Sequence, residues 1–443
     1  MFGNSERSAA LNRNVVGLFG RKIGTIVVSL ITIPLALSYI DKSEYGVYIT
    51  LVSVVNWFAL FDLGLGNGFR NKFTEALARK NQVLAKTYVS TAFFSMLSIS
   101  VVIGVGYLIL RSTVDAQGFI GATDVDKRAF EYSVDIVVIG FLAQFVLKIT
   151  TIALLADQRA AESGMISFIG QIFALLALLL FSWTSEGSLI NAALAMSLGP
   201  ACASGAAFIY YFSGRYKNFS PRIEYYSKHY LKDIVQLGLM YFVTQVAGIV
   251  VFSTDNILIS RYFGPSDVTD YYIAFKYYNV VIAAQSIINT PVWSAVTKAI
   301  QESDYQWITS IVKRLAKLWL LYVSVGVVLL LGSSYTYSFW IGDAVQPVYS
   351  LQIVMLLYML VATWIRGYSE IINGSGKIRL SMYHAIASIV INIPLSLFFV
   401  LVIGWGPESM MMSTVICLLP QAITHPLQVR KLLANRANGI WGK

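Results

Sequence analysis

Residues 136–156 read IVVIGFLAQFVLKITTIALLA, an apolar run interrupted by a single charge, Lys148. A helix rises about 1.5 Å per residue and the hydrocarbon core of a bilayer is about 30 Å thick, so roughly twenty such residues cross it. Stretches of the same character recur along the whole chain. They lie near 15–39, 45–61, 87–110, 136–156, 164–183 and 188–212, then near 234–260, 271–297, 318–341, 348–369, 380–403 and 409–429. The fold expected is all-α and integral to the membrane, with about twelve transmembrane helices.

Composition agrees with a membrane solvent. The chain is 56% hydrophobic and 13% charged, where a soluble globular chain carries about a quarter charged residues. Its net charge of +10 would suggest nucleic acid in a soluble protein. In a membrane protein the placement of the charges says more than their sum, and no nucleic-acid partner is expected. Cys202 and Cys417 lie in separate apolar runs, without metal-ligand spacing or a disulfide framework. The first apolar run is too long for a signal-peptide core and is expected to be retained.

An even number of spans places both termini on one side. With that side cytoplasmic, the opposite loops hold only Lys42, Arg111, Lys127, Arg128 and Arg261, and most other basic residues fall inside. This is the asymmetry of a multi-pass protein with both termini in the cytoplasm. The largest cytoplasmic loops, 62–86 and 213–233, are too short for a separate soluble domain. Two six-helix bundles are therefore expected, 1–213 and 233–443, joined by a cytoplasmic linker at 214–232. Within the first loop, Phe69, Phe73 and Leu77 share one helical face over 67–78, which suits a short amphipathic helix in the cytoplasmic interface.

The halves resemble each other. YIDKSEYGVY at 39–48 and YFGPSDVTDY at 262–271 both join spans of the same direction, and a weaker match pairs the region before Met165 with that before Met382. Halves of equal topology imply a parallel repeat about an axis along the membrane normal, an arrangement frequent in transporters.

Three segments carry a family resemblance: DKSEYGVY from Asp41, FDLGLGNGFRNKF at 61–73, and TDNILISRYFGPSDVTDYYIAFK at 254–276. The sequence resembles the polysaccharide transporter family, the Wzx-type oligosaccharide flippases of the multidrug/oligosaccharidyl-lipid/polysaccharide exporter superfamily. Span number, loop lengths and the half-repeat agree along the chain. The resemblance implies a V-shaped pair of six-helix bundles related by pseudo-two-fold symmetry, in a bacterial inner membrane. It implies a flippase that moves undecaprenyl-pyrophosphate-linked oligosaccharide units from the cytoplasmic to the periplasmic leaflet, for O-antigen, capsule or exopolysaccharide assembly. A polysaccharide polymerase and a chain-length regulator are the protein partners it implies.

Charges within the spans point the same way. A Lys or Arg at the centre of a lone helix costs roughly 2.5–3.5 kcal/mol on insertion scales, so such residues are expected to face protein or water. Arg21, Lys22, Lys148, Lys276 and Arg366 are the candidates for a cationic substrate cavity. Arg21, Lys22 and Lys276 are close enough to span ends to snorkel instead. Lys148 and Arg366 sit deeper, and the Met165/Met382 match places Lys148 opposite Ile365, next to Arg366. Each reads either as a cavity residue or as half of a structural ion pair with Asp157 or Glu370. A positive cavity suits a pyrophosphate or an anionic sugar, whereas an exporter of organic cations is expected to present carboxylates.

Asp255 reads as the one acid well inside a span, either a site for proton or sodium coupling or a static partner of Lys276 or Arg261. The aromatic run Tyr271, Tyr272, Phe275, Tyr277 and Tyr278 reads as an interfacial belt or as a surface for stacking sugars. Pro34, Pro291, Pro394 and Pro420 are expected to kink their helices.

No cofactor or metal is expected, and no covalent chemistry. A membrane-embedded polymerase or glycosyltransferase acting on the same carrier is the competing reading. It should show catalytic acids or arginines in a sizeable outer loop, and 111–135 holds acids without an evident acid/base constellation. A multidrug exporter of the same superfamily is the third.

Overall fold

The computed structural model describes residues 24–157, 159–342, 345–434 and 436–442, and it is helical throughout. The helices are α1 Gly24–Tyr39, α2 Lys42–Trp57, α3 Leu65–Ala78, α4 Gln82–Arg111, α5 Ala116–Ile120, α6 Lys127–Leu147, α7 Ile149–Ala156, α8 Ala160–Thr184, α9 Leu189–Ala193 and α10 Gly199–Ser213. They continue as α11 Lys228–Tyr262, α12 Pro265–Gln301, α13 Tyr305–Leu331, α14 Ser333–Trp340, α15 Tyr349–Ser375, α16 Arg379–Phe398 and α17 Glu408–Leu433. Among the described residues, nine helical segments are long and apolar enough to cross a membrane. The shorter apolar α1 and the long helices α11 and α12 occupy the places of the other expected spans, for which a count of twelve still rests on the sequence.

Polar residues set the starts. Asp41, Asn81, Asp126 and Asp304 each stand just before a helix and accept a hydrogen bond from a backbone N–H in its first turn, that of Glu44, Leu84, Ala129 and Trp307 respectively. These groups have no partner within the helix, which is why short oxygen-bearing side chains recur at those positions. Corresponding helices of the two halves open at Lys42 and Pro265, Gln82 and Tyr305, Lys127 and Tyr349, Ala160 and Arg379, and Leu189 and Glu408. The order is repeated but the continuity is not. Where α12 and α15 run unbroken, the first half breaks between α2 and α3 and again at Lys148, between α6 and α7.

The chain forms two compact units, Val27–Thr269 and a second built on Asp270–Lys443. The first includes α11, which packs on α2, α3 and α4. This division and the expected linker at 214–232 differ by that helix. In the first unit Phe69, Phe73, Tyr88, Val89, Met96 and Ile149 form a buried core. Phe69 and Phe73 are fully buried, with ring centroids 5.3 Å apart, so α3 is a core element and not the surface-lying interfacial helix expected from its pattern. Burying each ring stabilises by about 1.5–3 kcal/mol. An amphipathic face looks the same whether lipid or protein covers it.

In the second unit α15 packs against α13 and α17, around Ile308, Ile311, Ile371 and Ile372. Tyr271, Tyr277 and Tyr278 are buried there. Tyr277 lies 5.0 Å from Tyr337, centroid to centroid, and donates to the Leu329 carbonyl at 3.0 Å. These tyrosines are interior packing residues and form no interfacial belt.

Candidate functional site

The segment FDLGLGNG forms an elbow. A short 3-10 turn, Phe58–Asp62, follows α2, and Leu63 and Gly64 then take left-handed backbone conformations with φ of 49° and 77°. Such values favour glycine, which explains Gly64. Gly68, on the next turn, lies against the backbone of α11, where a Cβ would fall 1.9 Å from the Ile234 carbonyl oxygen. The glycine pattern thus turns the chain and allows α3 to dock closely.

The elbow holds an acid at the end of the α2 span. Asp62 is 5% exposed, and its Oδ1 accepts the Gly66 N–H at 2.9 Å. Its Oδ2 lies 2.5 Å from Lys148 Nζ. Lys148 sits at the break between α6 and α7, and its ammonium also stands 4.2 Å from the centre of the Phe145 ring. A buried carboxylate requires such pairing.

The sequence reading offered Asp157 and Glu370 as ion-pair partners. Asp157 instead meets Arg215 at 3.1 Å and accepts from the Tyr216 hydroxyl at 3.0 Å. Burial and then that bond push the Tyr216 phenol up. The acid that meets Lys148 is Asp62, which the hydropathy pattern left at the start of a loop. Asp255 is accordingly not the one acid within the spans: Asp62 ends the segment Lys42–Asp62, and Glu370 lies inside Tyr349–Ser375.

Asp255 is 1% exposed on α11, beside Asn256, which donates to Ser53 of α2 at 2.9 Å. Lys276 is half-buried on α12, with its ammonium 5.2 Å from the Tyr272 ring centre. Arg366 is exposed on α15. It has no ion-pair partner among the described residues, although Glu370 follows one turn later. On the same helix Trp364 packs edge to face with Trp319 of α13 and with Tyr368, each at 4.9 Å between ring centroids. Arg21 and Lys22 lie outside the described residues. Lys148 and Arg366 belong to different compact units.

The second unit also holds a buried histidine cluster that no sequence pattern marks. His425 of α17 is 2% exposed and lies between Ser369 of α15 and Ser381 of α16, at 3.3 and 3.1 Å. His384 of α16 bonds Thr424 at 2.9 Å. These contacts tie three helices together. No group of three or more His, Cys, Asp or Glu residues is placed to hold a metal ion among the described residues.

Residues 11–297 match the family model described as polysaccharide biosynthesis protein. A putative O-antigen export protein of Yersinia pseudotuberculosis is 21% identical over 387 residues, covering 82% of each chain. Among solved structures, an inward-facing multidrug resistance MATE family transporter of the MOP superfamily superposes with a TM-score of 0.77 at 14% identity, covering 93% of this chain and 95% of that one. An outward-facing MATE structure gives 0.63 at 16% identity, with 96% of each chain covered. The fold is therefore shared with these transporters, and the family is not one of catalytic enzymes. The polytopic helical architecture is that of a multi-pass membrane protein, and the chain, matched over residues 11–297, belongs to the polysaccharide biosynthesis protein family.

Proposed function

We propose that this transporter is a flippase for lipid-linked oligosaccharides. It carries an undecaprenyl-pyrophosphate-linked glycan from the cytoplasmic to the periplasmic leaflet by alternating access through a cationic central cavity, while the polyprenyl tail stays in lipid. The observation that carries the reading is Arg366, an exposed guanidinium on the apolar helix α15 with no ion-pair partner among the described residues. A cation in a span is retained at a cost, and an anionic cargo gives it a use. The O-antigen export relative supports the same cargo class.

Lys148 enters differently, because it is already neutralised. A pyrophosphate reaches it by replacing Asp62, which would couple headgroup binding to release of the elbow. Lys276, Arg21 and Lys22 supply further positive potential, and Asp255 is the proposed coupling-ion site. Both termini are proposed to be cytoplasmic, with 1–213 and 233–443 as the working halves about the linker 214–232.

The likeness of the fold to multidrug MATE transporters favours a second reading, export of small lipophilic compounds. One experiment separates them. The purified protein in vesicles is given either a fluorescent lipid-linked oligosaccharide or a lipophilic cation such as tetraphenylphosphonium. Movement of the glycolipid alone supports the flippase; movement of the cation alone overturns it.

A further inference from the structure

The first unit contains a cavity of about 540 Å³ that none of the candidate cations lines. Its volume lies within the range of about 300–1,000 Å³ usual for small-molecule sites. Val54 and Val55 of α2 and Val134 and Val137 of α6 form apolar walls. Leu110 of α4, with Val114 and Phe119 of the segment that follows, line it too, yet are 54%, 50% and 61% exposed. The edge of the opening is thus apolar. Such an edge would be unfavourable against water but suits a hydrocarbon surround.

The polar end is equally defined. Arg111 closes α4 and Lys127 opens α6, so both lie where spans meet the membrane boundary. Arg111 pairs with Asp135 at 2.7 Å, and Tyr107 donates to the same carboxylate at 2.5 Å. Asp115 accepts the Gly118 N–H at 3.1 Å and caps α5. Those groups are occupied by one another. Lys127 and Glu131 remain, one turn apart on α6, both exposed, of opposite sign and in no ion pair among the described residues.

We infer that this cavity binds a zwitterionic glycerophospholipid of the surrounding leaflet, its phosphate at Lys127, its ammonium at Glu131 and an acyl chain between α2, α4 and α6. The site is separate from the cargo path and does not depend on what the cargo is. A lone anion would leave Glu131 facing like charge, and a lone cation would meet Lys127; a headgroup bearing both charges satisfies both. The acyl chain fills space that would otherwise hold water against valine and phenylalanine side chains.

The test uses the full-length protein in nanodiscs containing phosphatidylethanolamine with a photoactivatable acyl chain, followed by mapping of the labelled peptides. Label is expected to concentrate on the cavity-lining parts of 107–138. It should fall severalfold in Val137→Trp, which fills the cavity, and in the surface variant Lys127→Glu, which leaves the packing intact. Arg366→Gln should not change it. Label spread evenly over exposed helix faces and unaltered by both cavity variants would overturn the inference. So would protection of 107–138 by tetraphenylphosphonium with lipid labelling unchanged by Val137→Trp, since the cavity would then be a drug site.

Discussion

Lys148 Nζ stands 2.5 Å from Asp62 Oδ2 across 86 residues of sequence, and the contact joins two irregularities of the first unit, the elbow after α2 and the break between α6 and α7. The corresponding helices of the second unit are continuous. The first half thus bends where it holds its buried ion pair.

Removing one partner should harm the protein more than removing both. Asp62→Asn leaves the Lys148 ammonium without its counter-charge, and Lys148→Gln leaves a buried carboxylate, which is the costly half of any broken pair. Thermal unfolding in detergent should show both single variants below the wild type and Asp62→Asn/Lys148→Gln above the sum of their losses. Independent sites add within about 0.3–0.5 kcal/mol. Strict additivity would mean that the two charges do not interact.

The elbow makes a sharper structural prediction. Gly68→Ala puts a methyl carbon 1.9 Å from the Ile234 carbonyl, whereas at Gly106 an added Cβ meets nothing within 4 Å. Overpacking typically costs about 1–3 kcal/mol, and here backbone has to move. Gly68→Ala should lower the melting temperature and folded yield, and Gly106→Ala should leave both near wild type. Equal behaviour of the two would show that α3 does not approach α11 as closely as described.

How far the sequence could be read follows from what is local. Span length is a property of consecutive residues, so the apolar stretches and the repeated order of helices were legible. The partner of Lys148 was not, because Asp62 becomes an intramembrane acid only when the elbow folds back. Phe69 and Phe73 marked a helical face without saying what covers it, and Tyr271, Tyr277 and Tyr278, read as a belt or a sugar-stacking surface, became interior residues only through contacts distant in sequence such as Tyr277 with Tyr337. The cluster around His425 draws on three helices, and no spacing within any one of them announces it.

Arg366→Ala should abolish surface polysaccharide while folded protein remains in the membrane. The side chain is exposed, so truncating it removes little packing, and the lost charge-assisted bonds belong to the cargo. Quantitative blotting beside a polysaccharide assay in cells checks this. Loss of protein with normal transport per molecule would assign Arg366 a structural role instead.

The last prediction asks whether Lys148 and Arg366 act on one substrate, which the repeat suggests and their separate compact units leave to experiment. Flipping of a lipid-linked oligosaccharide in vesicles is measured for Lys148→Gln, Arg366→Gln and the double variant, and the logarithms of the rates are compared. Two cations serving one anionic headgroup contribute to a single potential, so the first loss removes most of what the second could. The double variant should then be less impaired than the sum of the singles. Lys148 adds a complication that can be controlled, since Lys148→Gln also frees the Asp62 carboxylate to repel the headgroup. Repeating the cycle in an Asp62→Asn background removes that repulsion: the Lys148→Gln defect should shrink there while its non-additivity with Arg366→Gln persists. Additive defects in both backgrounds would separate the two residues, leaving Lys148 as the anchor of the elbow and the headgroup to Arg366 with Lys276.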